Sequence, residues 1–595
     1  MVRIMFCLTF VLSSFVFQAQ ISSKYTISFE NAVHHEANIQ AIFTNLKSET
    51  ATFRMSRSSP GRYALHEFAK NVYNVKVTDG KGQELTATRP DPYTWEVKGH
   101  DGSIQVSYTL FANHGDGTYA QIDETHAHLN APATFMYVPE LEAQEMEVTF
   151  KLRDDLNWKV ATQLKQQQGQ TYYAKDLQYL MDSPIEIANF RTRSFEIEGQ
   201  NIVLVLHDEA ASDADLDLYF EKVKKVVLEQ MMVFGELPTF DYGDYLFLAC
   251  YMPNATGDGM EHRNSTSIPS SRSLTQGGMD GNIGTVAHEF FHCWNVERLR
   301  PKSLEPFDFS KANMSGDLWF AEGFTSYYDD LSLVRSGIIS RDKYLKGLTG
   351  TFNYVWTSPG RQFFNPIEMS YQAPFVDAAR SVDETNRENT FISYYSYGSM
   401  LGLALDVSLR AQNLTLDGYM RSVWKLYGKP ETPYTVEQLQ LSLSDFAGQP
   451  FADDFFGNYI HKSGMPNFEG LLKNVGIILE TKDAIDFGAM VRNQRLANNP
   501  KIGSSAYKAG FQKGDKLIQV GAVALDENVS INSVLHTFKT GDKVAVKVER
   551  HGSEKELSLI IGTDISYELH FMEPSAKEFT KKIKEQQADW LESKI

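Results

Sequence analysis

The sequence predicts a multidomain α+β chain: an antiparallel β-sandwich-like domain first, a mostly helical domain in the middle, and a smaller β domain last. Three observations lead there. At 595 residues the chain is too long for a single core. A composition of 42% hydrophobic, 22% charged and 12% aromatic residues belongs to folded globular domains. The apolar periodicity also changes twice along the chain, from alternate positions to helical spacing and back.

Residues 1–20 have Arg3 followed by an apolar run from Ile4 to Phe17, with Ala19 offering a small residue for cleavage. This reads as a secretory signal peptide and implies a periplasmic or secreted protein. No later stretch is long and apolar enough to span a bilayer. A formal net charge of −18 argues against a phosphate-backbone partner, so no nucleic acid is expected. Cys7 leaves with the signal. Cys250 and Cys293 are too few for a disulfide framework and read as small buried residues, with a single bridge as the alternative.

Over residues 21–195, segments such as "YTISFEN", "YTWEVKG", "SIQVSYTLFAN" and "EMEVTFKL" alternate between turn residues, the mark of an antiparallel sandwich. His34, His35, His126 and His128 lie here; near-neighbour histidines on strands are read as solvated or packed, not as ligands. Over 196–465, "DADLDLYFEKVKKVVLEQMMVFG" and "YSYGSMLGLALDVSLRAQ" carry apolar residues at helical spacing, and "YLFLACYMP" is a strand. Over 466–565 a short helix closed by Gly510 turns at Gly514-Asp515 into a strand, and "GDKVAVKVERHGSEKELSLIIG" is a hairpin. Residues 566–595 are Lys/Glu-rich, a charged tail that is helical or frayed.

The chemistry concentrates in "TVAHEFFHCWNVERLRP", residues 285–301. Four helical residues rotate by about 400°, so His288 and His292 share one face a turn apart. Two adjacent corners of a zinc tetrahedron need that spacing. Glu289, about 100° round, cannot easily share the metal but can reach a water on it. This is the division of labour of HExxH, two ligands and a general base. Gly284-Thr285 begins the helix and Pro301 is expected to end it.

A third ligand is sought among Glu297, Glu305, Asp308, Asp317 and Glu322. Glu322 stands out because Trp319, Phe320, Ala321 and Phe324 surround it, and a carboxylate buried in such company needs a positive charge to meet it. Glu297 or Asn295 is a candidate to orient a ligand histidine from outside. Upstream, "TGDGMEHRNST" has Gly257 and Gly259 in a loop that reaches a strand edge with Glu261, either a polar loop or a substrate-binding edge where Glu261 holds a cation.

Together "GMEH", "HEFFHCWNVERLRP", "LWFAEGFTSYY" and "SYYSYGSMLGLALDVSLR" resemble the glycyl aminopeptidase family of gluzincin metallopeptidases. The likeness extends to "SSPGRYALHEFAKNVYNVKV" and to a PDZ-like third domain, so it covers nearly the whole mature chain. It implies a thermolysin-like catalytic domain holding one Zn2+ per chain, with His288, His292 and Glu322 as ligands and Glu289 as base. It implies that Glu261, with Gly259, Met260 and His262 beside it, holds the substrate's free α-amine; His262 stands where related enzymes have Asn. Tyr395, three residues before Gly398, would hydrogen-bond the tetrahedral intermediate. Tyr397 replaces a Lys common in relatives, and Tyr394 is the alternative.

The expected function is thus a secreted zinc aminopeptidase acting on free N-termini, with Gly or Ala preferred by family likeness alone. A zinc endopeptidase using the same site, or a PDZ-bearing binding protein with a degenerate peptidase domain, is the alternative. The PDZ-like domain would take peptide chain ends by adding a strand to its sheet, or serve only as a cap.

Overall fold

The computed structural model describes residues 21–376, 383–526 and 529–595; the signal peptide expected over 1–20 lies outside them. The N-terminal domain is built on an eight-stranded sheet in which Ser23–Ser28, Glu36–Thr44 and Ser103–Phe111 are central. Its pairings are antiparallel except that Ser23–Ser28 runs parallel to Met146–Lys151. The strand EANIQAIFT shows why it forms: Ala37, Ile39, Ala41 and Phe43 are buried while the residues between them face outward. A three-stranded sheet packs its Phe53 and Trp95 into the same core. A four-stranded sheet, containing β1 (His126–Leu129) and β2 (Ile185–Ala188), completes the domain.

The second domain opens with β3 (Arg191–Ile197) and β4 (Gln200–His207), then α1 (Asp213–Phe234), and continues with β5 (Asp244–Cys250), β6 (Met260–His262) and β7 (Ser265–Ser267). The five strands form one mixed sheet in the order β3-β4-β5-β7-β6, with β4, β5 and β7 parallel and β6 at an edge. α1 runs where the apolar spacing predicts a helix; a Ser212–Asp215 capping box starts it and Gly235, at a φ of 86°, ends it. The four-stranded sheet of the first domain packs on this sheet through Ala161, Ala188, Val205 and Leu248. Because β3 pairs with β4, the domain break expected at 195 falls inside a strand.

Three helices carry the centre: α2 (Ile283–Phe291), α3 (Gly323–Arg335) and α4 (Tyr394–Ala411). α3 and α4 cross at Gly323 and Gly398, where a Cβ on either glycine would run into the other helix's backbone. Among the described residues no helix is long and apolar enough to cross a membrane.

The third domain is a five-stranded path from Val491–Arg492 at one edge to Ser553–Ile560 at the other, around Phe487, Leu517, Val546 and Leu559. A separate antiparallel ladder, Ile477–Ile485 with Thr563–Phe571, leads into and out of it. That ladder is tied to the second domain by two hydrogen bonds between the Asn353 side chain and the Tyr567 backbone, of 2.7 and 2.8 Å. The break expected at 565 therefore also falls inside a strand.

The charged tail is docked rather than frayed. Its helix α5 (Lys581–Leu591) buries Trp590 fully, with Nε1 donating to the Tyr327 hydroxyl at 2.9 Å and its carbonyl accepting from Arg335 Nε at 2.9 Å. The buried positions Gln587, Trp590 and Leu591 lie within about four residues of one another, enough for a one-sided apolar stripe on an otherwise charged helix.

Candidate metal centre and substrate cleft

α2 buries Val286, Ala287, Phe290 and Phe291 completely, and Gln230 of α1 donates to the Ala287 carbonyl at 2.6 Å. That packing turns His288, Glu289 and His292 toward a cavity of about 340 Å3. The helix ends at Phe291 rather than at Pro301, with His292 as its C-cap. Beyond it the amides bond three, four or five residues back, as from Cys293 to Phe290, Val296 to His292 and Glu297 to His292, so the regular helix gives way to a run of turns. Asn295 anchors this turn: its side chain donates to the Phe320 and Ala321 carbonyls at 3.2 and 3.1 Å.

Glu322 joins the short helix Leu318–Ala321 to α3 and points its carboxylate at the two histidines. Its Oε2 lies 3.2 Å from His292 Nε2 and 3.6 Å from His288 Nε2. A zinc–nitrogen bond of about 2.0–2.1 Å implies tetrahedral edges of about 3.3–3.4 Å, so the three residues fit that ion. The far side of each ring is occupied: His288 Nδ1 is 2.8 Å from Asp329 Oδ2, and His292 Nδ1 donates to the Asn295 carbonyl at 2.6 Å. Both free Nε2 atoms thus face the would-be ion, as outer hydrogen bonds arrange in metal sites. Glu261, Glu289 and His292 form a second group with metal-ligand atoms within 4.8 Å of one another, but it draws on the same His292.

Burial works against charging His292, yet Glu322 and Glu261 outweigh it and push the ring up to about 9. Burial, opposed by the two histidines and reinforced by Glu261 and Glu322, pushes Glu289 up to about 8. Glu322 is held well below the usual range because the histidines outweigh its burial. This is a negative hollow in need of a cation, and a bound dication would draw all these groups toward their deprotonated forms.

Glu261, Gly259 and Tyr395 line the same cavity. Strand alternation on β6 sends Glu261 inward. Its carboxylate is 6% exposed and has no hydrogen bond or ion pair among the described residues. A Cβ at Gly259 would strike the Glu289 carboxylate, so glycine lets backbone reach the base. Met260 is fully buried, and His262 turns away to Asp182, its Nδ1 3.0 Å from Oδ1; neither lines the cleft. The Tyr395 ring lies 5.8 Å from that of His288, and burial raises its hydroxyl well above its ordinary pKa, keeping it a donor. Tyr394 is buried beside Tyr63, with ring centroids 6.1 Å apart, and does not reach the cavity.

Three contributions escape the sequence patterns. The first domain sends in Tyr63, whose hydroxyl donates to Glu322 Oε1 at 2.6 Å, and Arg62, which pairs with Asp258 and donates to the Gly259 carbonyl at 3.2 Å. Asp329 was legible in principle, since it follows Glu322 by seven residues and so shares its helix face. Asn295 acts through its carbonyl, whereas Glu297 lines a different cavity.

Family models match three stretches of the chain: the peptidase M61 N-terminal domain over residues 24–189, M61 glycyl aminopeptidase over 281–401, and a PDZ domain over 475–561. Among solved structures, an aminopeptidase N family protein from Idiomarina loihiensis is 25% identical with a TM-score of 0.85, covering 96% of this chain and 100% of that one. An M1 zinc metallopeptidase from Deinococcus radiodurans is 11% identical with a TM-score of 0.42, covering 74% and 94%. A serine protease HtrA-like protein from Staphylococcus epidermidis is 28% identical over 100 residues, and the match spans 16% of this chain and 17% of that relative's length.

Proposed function

A chain that carries the N-terminal and catalytic domains of the M61 glycyl aminopeptidases is a zinc metallopeptidase, and we propose that this one removes single residues from the free N-termini of peptides. The observation that carries the proposal is the unpaired Glu261 carboxylate in the cavity that also holds His288, Glu289, His292 and Glu322. A buried carboxylate without a partner is costly, and a substrate α-ammonium would satisfy it. An acylated or internal peptide offers no such charge, which favours the aminopeptidase over the endopeptidase reading.

His288, His292 and Glu322 would hold one zinc ion, which when bound supplies a Lewis acid that acidifies water and polarises the scissile carbonyl. Glu261 fixes the substrate's amino end, with Arg62 bracing the Gly259 edge beside it. Glu289 accepts the attacking water's proton and returns it to the leaving amine. Tyr395 donates its hydroxyl to the developing oxyanion. Tyr63 and Asp329 hold Glu322 and His288 in place. The intact set of groups disfavours a degenerate, binding-only domain.

Small first residues, Gly and Ala, suit the family's name and the modest cavity. Residues 1–20 suggest export to the periplasm or beyond. The PDZ domain suits peptide chain ends: a cavity of about 420 Å3 lies between the edge strand Val491–Arg492 and the helix Ile531–Leu535. The test is hydrolysis of a panel of aminoacyl anilides beside N-acetylated peptides, with and without chelator. Chelator-sensitive cleavage confined to free amines is expected; equal cleavage of acetylated peptides would overturn the aminopeptidase reading.

A further inference from the structure

A second cluster of metal-binding side chains lies between the first two domains. β1 contributes His126, β2 Glu186, β4 His207 and β5 Cys250, so each of two packed sheets supplies two residues. His207 and Cys250 are paired neighbours at the ends of parallel strands, which puts both on the face toward the other domain. All four are between 0% and 6% exposed. Sequence alone reads His126 as solvated or packed; its companions here are 60, 81 and 124 positions away.

Four atoms converge. His126 Nδ1 is 3.2 Å from Cys250 Sγ and 3.4 Å from Glu186 Oε1. His207 Nδ1 is 3.7 Å from each of the same two atoms. Zinc bonds of about 2.0–2.1 Å to nitrogen and 2.3 Å to sulfur imply tetrahedral edges of about 3.3–3.6 Å. The observed separations bracket that range. One of the converging atoms is also left over in a way no packing argument explains: Glu186 Oε1 is buried and makes no hydrogen bond. Outer partners resemble those of the first centre. His128 Nδ1 holds Glu186 Oε2 at 3.0 Å, and Asp123 Oδ2 lies 3.9 Å from His126 Nε2.

We infer that His126, Glu186, His207 and Cys250 bind a second zinc ion, a closed four-ligand structural site that clasps the N-terminal domain to the catalytic domain. Two imidazoles, one thiolate and one carboxylate are a donor set zinc accepts, and the two anions match its two charges. Binding releases the Cys250 proton to solvent. No protein-free corner remains for substrate, so the site is not catalytic. The expected stoichiometry rises from one zinc per chain to two.

The test uses the full chain with Glu322→Ala, which removes a ligand from the first centre and leaves this cluster untouched. After chelation and reloading with Co2+ alone, this variant should hold one cobalt per chain and show a sulfur-to-cobalt charge-transfer band in the near ultraviolet. Native mass spectrometry of the zinc-loaded proteins should give two ions for wild type and one for the variant. Adding Cys250→Ser should abolish the band. If that double variant does not fold, the spectrum of Glu322→Ala alone still decides. A folded Glu322→Ala protein that binds no cobalt, or binds it without the sulfur band, overturns the assignment.

Discussion

Glu261→Gln removes the charge proposed to hold the substrate's amine while keeping the size of the side chain. The carboxylate is 6% exposed, with no ion-pair partner among the described residues, so its pairing with an incoming ammonium would be little screened by water. A charge-assisted hydrogen bond there is worth about 1.5–3 kcal/mol. At about 1.36 kcal/mol per decade, kcat/KM on free-amine substrates should fall roughly 10- to 150-fold. Glycyl and alanyl substrates should lose most, having little side chain to compensate. Zinc content and the slow rate on N-acetylated peptides should hardly change. The assay is kcat/KM for glycyl, alanyl and leucyl anilides beside acetylated peptides, with metal content measured on the same samples. An equal loss on acetylated and free substrates would refute the reasoning, because the residue would then act on something other than the amine.

Glu289→Gln should retain zinc yet lose several orders of magnitude in kcat; a variant within about tenfold of wild type would mean another group is the base. Asp329→Ala should weaken zinc binding about 10- to 100-fold in a chelator competition, since it frees the His288 ring, and unchanged affinity would remove it from the centre. Gly398→Ala should cost about 1–3 kcal/mol in denaturant unfolding, because the new methyl meets the Trp319 carbonyl at the helix crossing; a neutral result would mean that the crossing relaxes at no cost. Burial pushes the Asp317 carboxyl up to about 7 against the hydrogen bond from Ser315. Unfolded, it titrates near pH ~4, so the native state keeps a proton the unfolded chain releases, and stability falls as pH rises between those values. Asp317→Asn should therefore raise the melting temperature at about pH 8 and have little effect near about pH 4; an equal shift at both would exclude the titration.

What was legible in the sequence is what local geometry encodes. His288 and His292 share a helix face by spacing, and Glu322 betrayed itself by a carboxylate in apolar company. Glu261 was marked by a strand edge just after two glycines. Tyr63 and Arg62 were invisible because their place in the cleft depends on how two domains pack, 259 residues separating Tyr63 from the carboxylate it holds. The cluster at Cys250 was hidden for the same reason, since four strands in two sheets must come into register before its atoms meet. Pro301 misled because the helix had already ended where Asn295 captures the next turn. The domain breaks at 195 and 565 were misread because both strands look like the domains they leave while pairing with those they join.

The ladder of Ile477–Ile485 with Thr563–Phe571 makes the PDZ domain a guest inserted into the peptidase rather than an appendage on its end. A stop codon ahead of residue 475 would remove more than the guest. It would also delete α5, expose the seat of Trp590 beside Tyr327, and strip Arg410 of its bond to Asp589 at 2.7 Å. Loss of activity after such a truncation would therefore say nothing about peptide capture by the PDZ domain. Ile485 and Thr563 already face each other across the ladder, about 5 Å apart as paired strands are, so a tight turn can join them directly. Excision by that internal splice leaves the host closed, and only then does a change in turnover report on what the guest contributes.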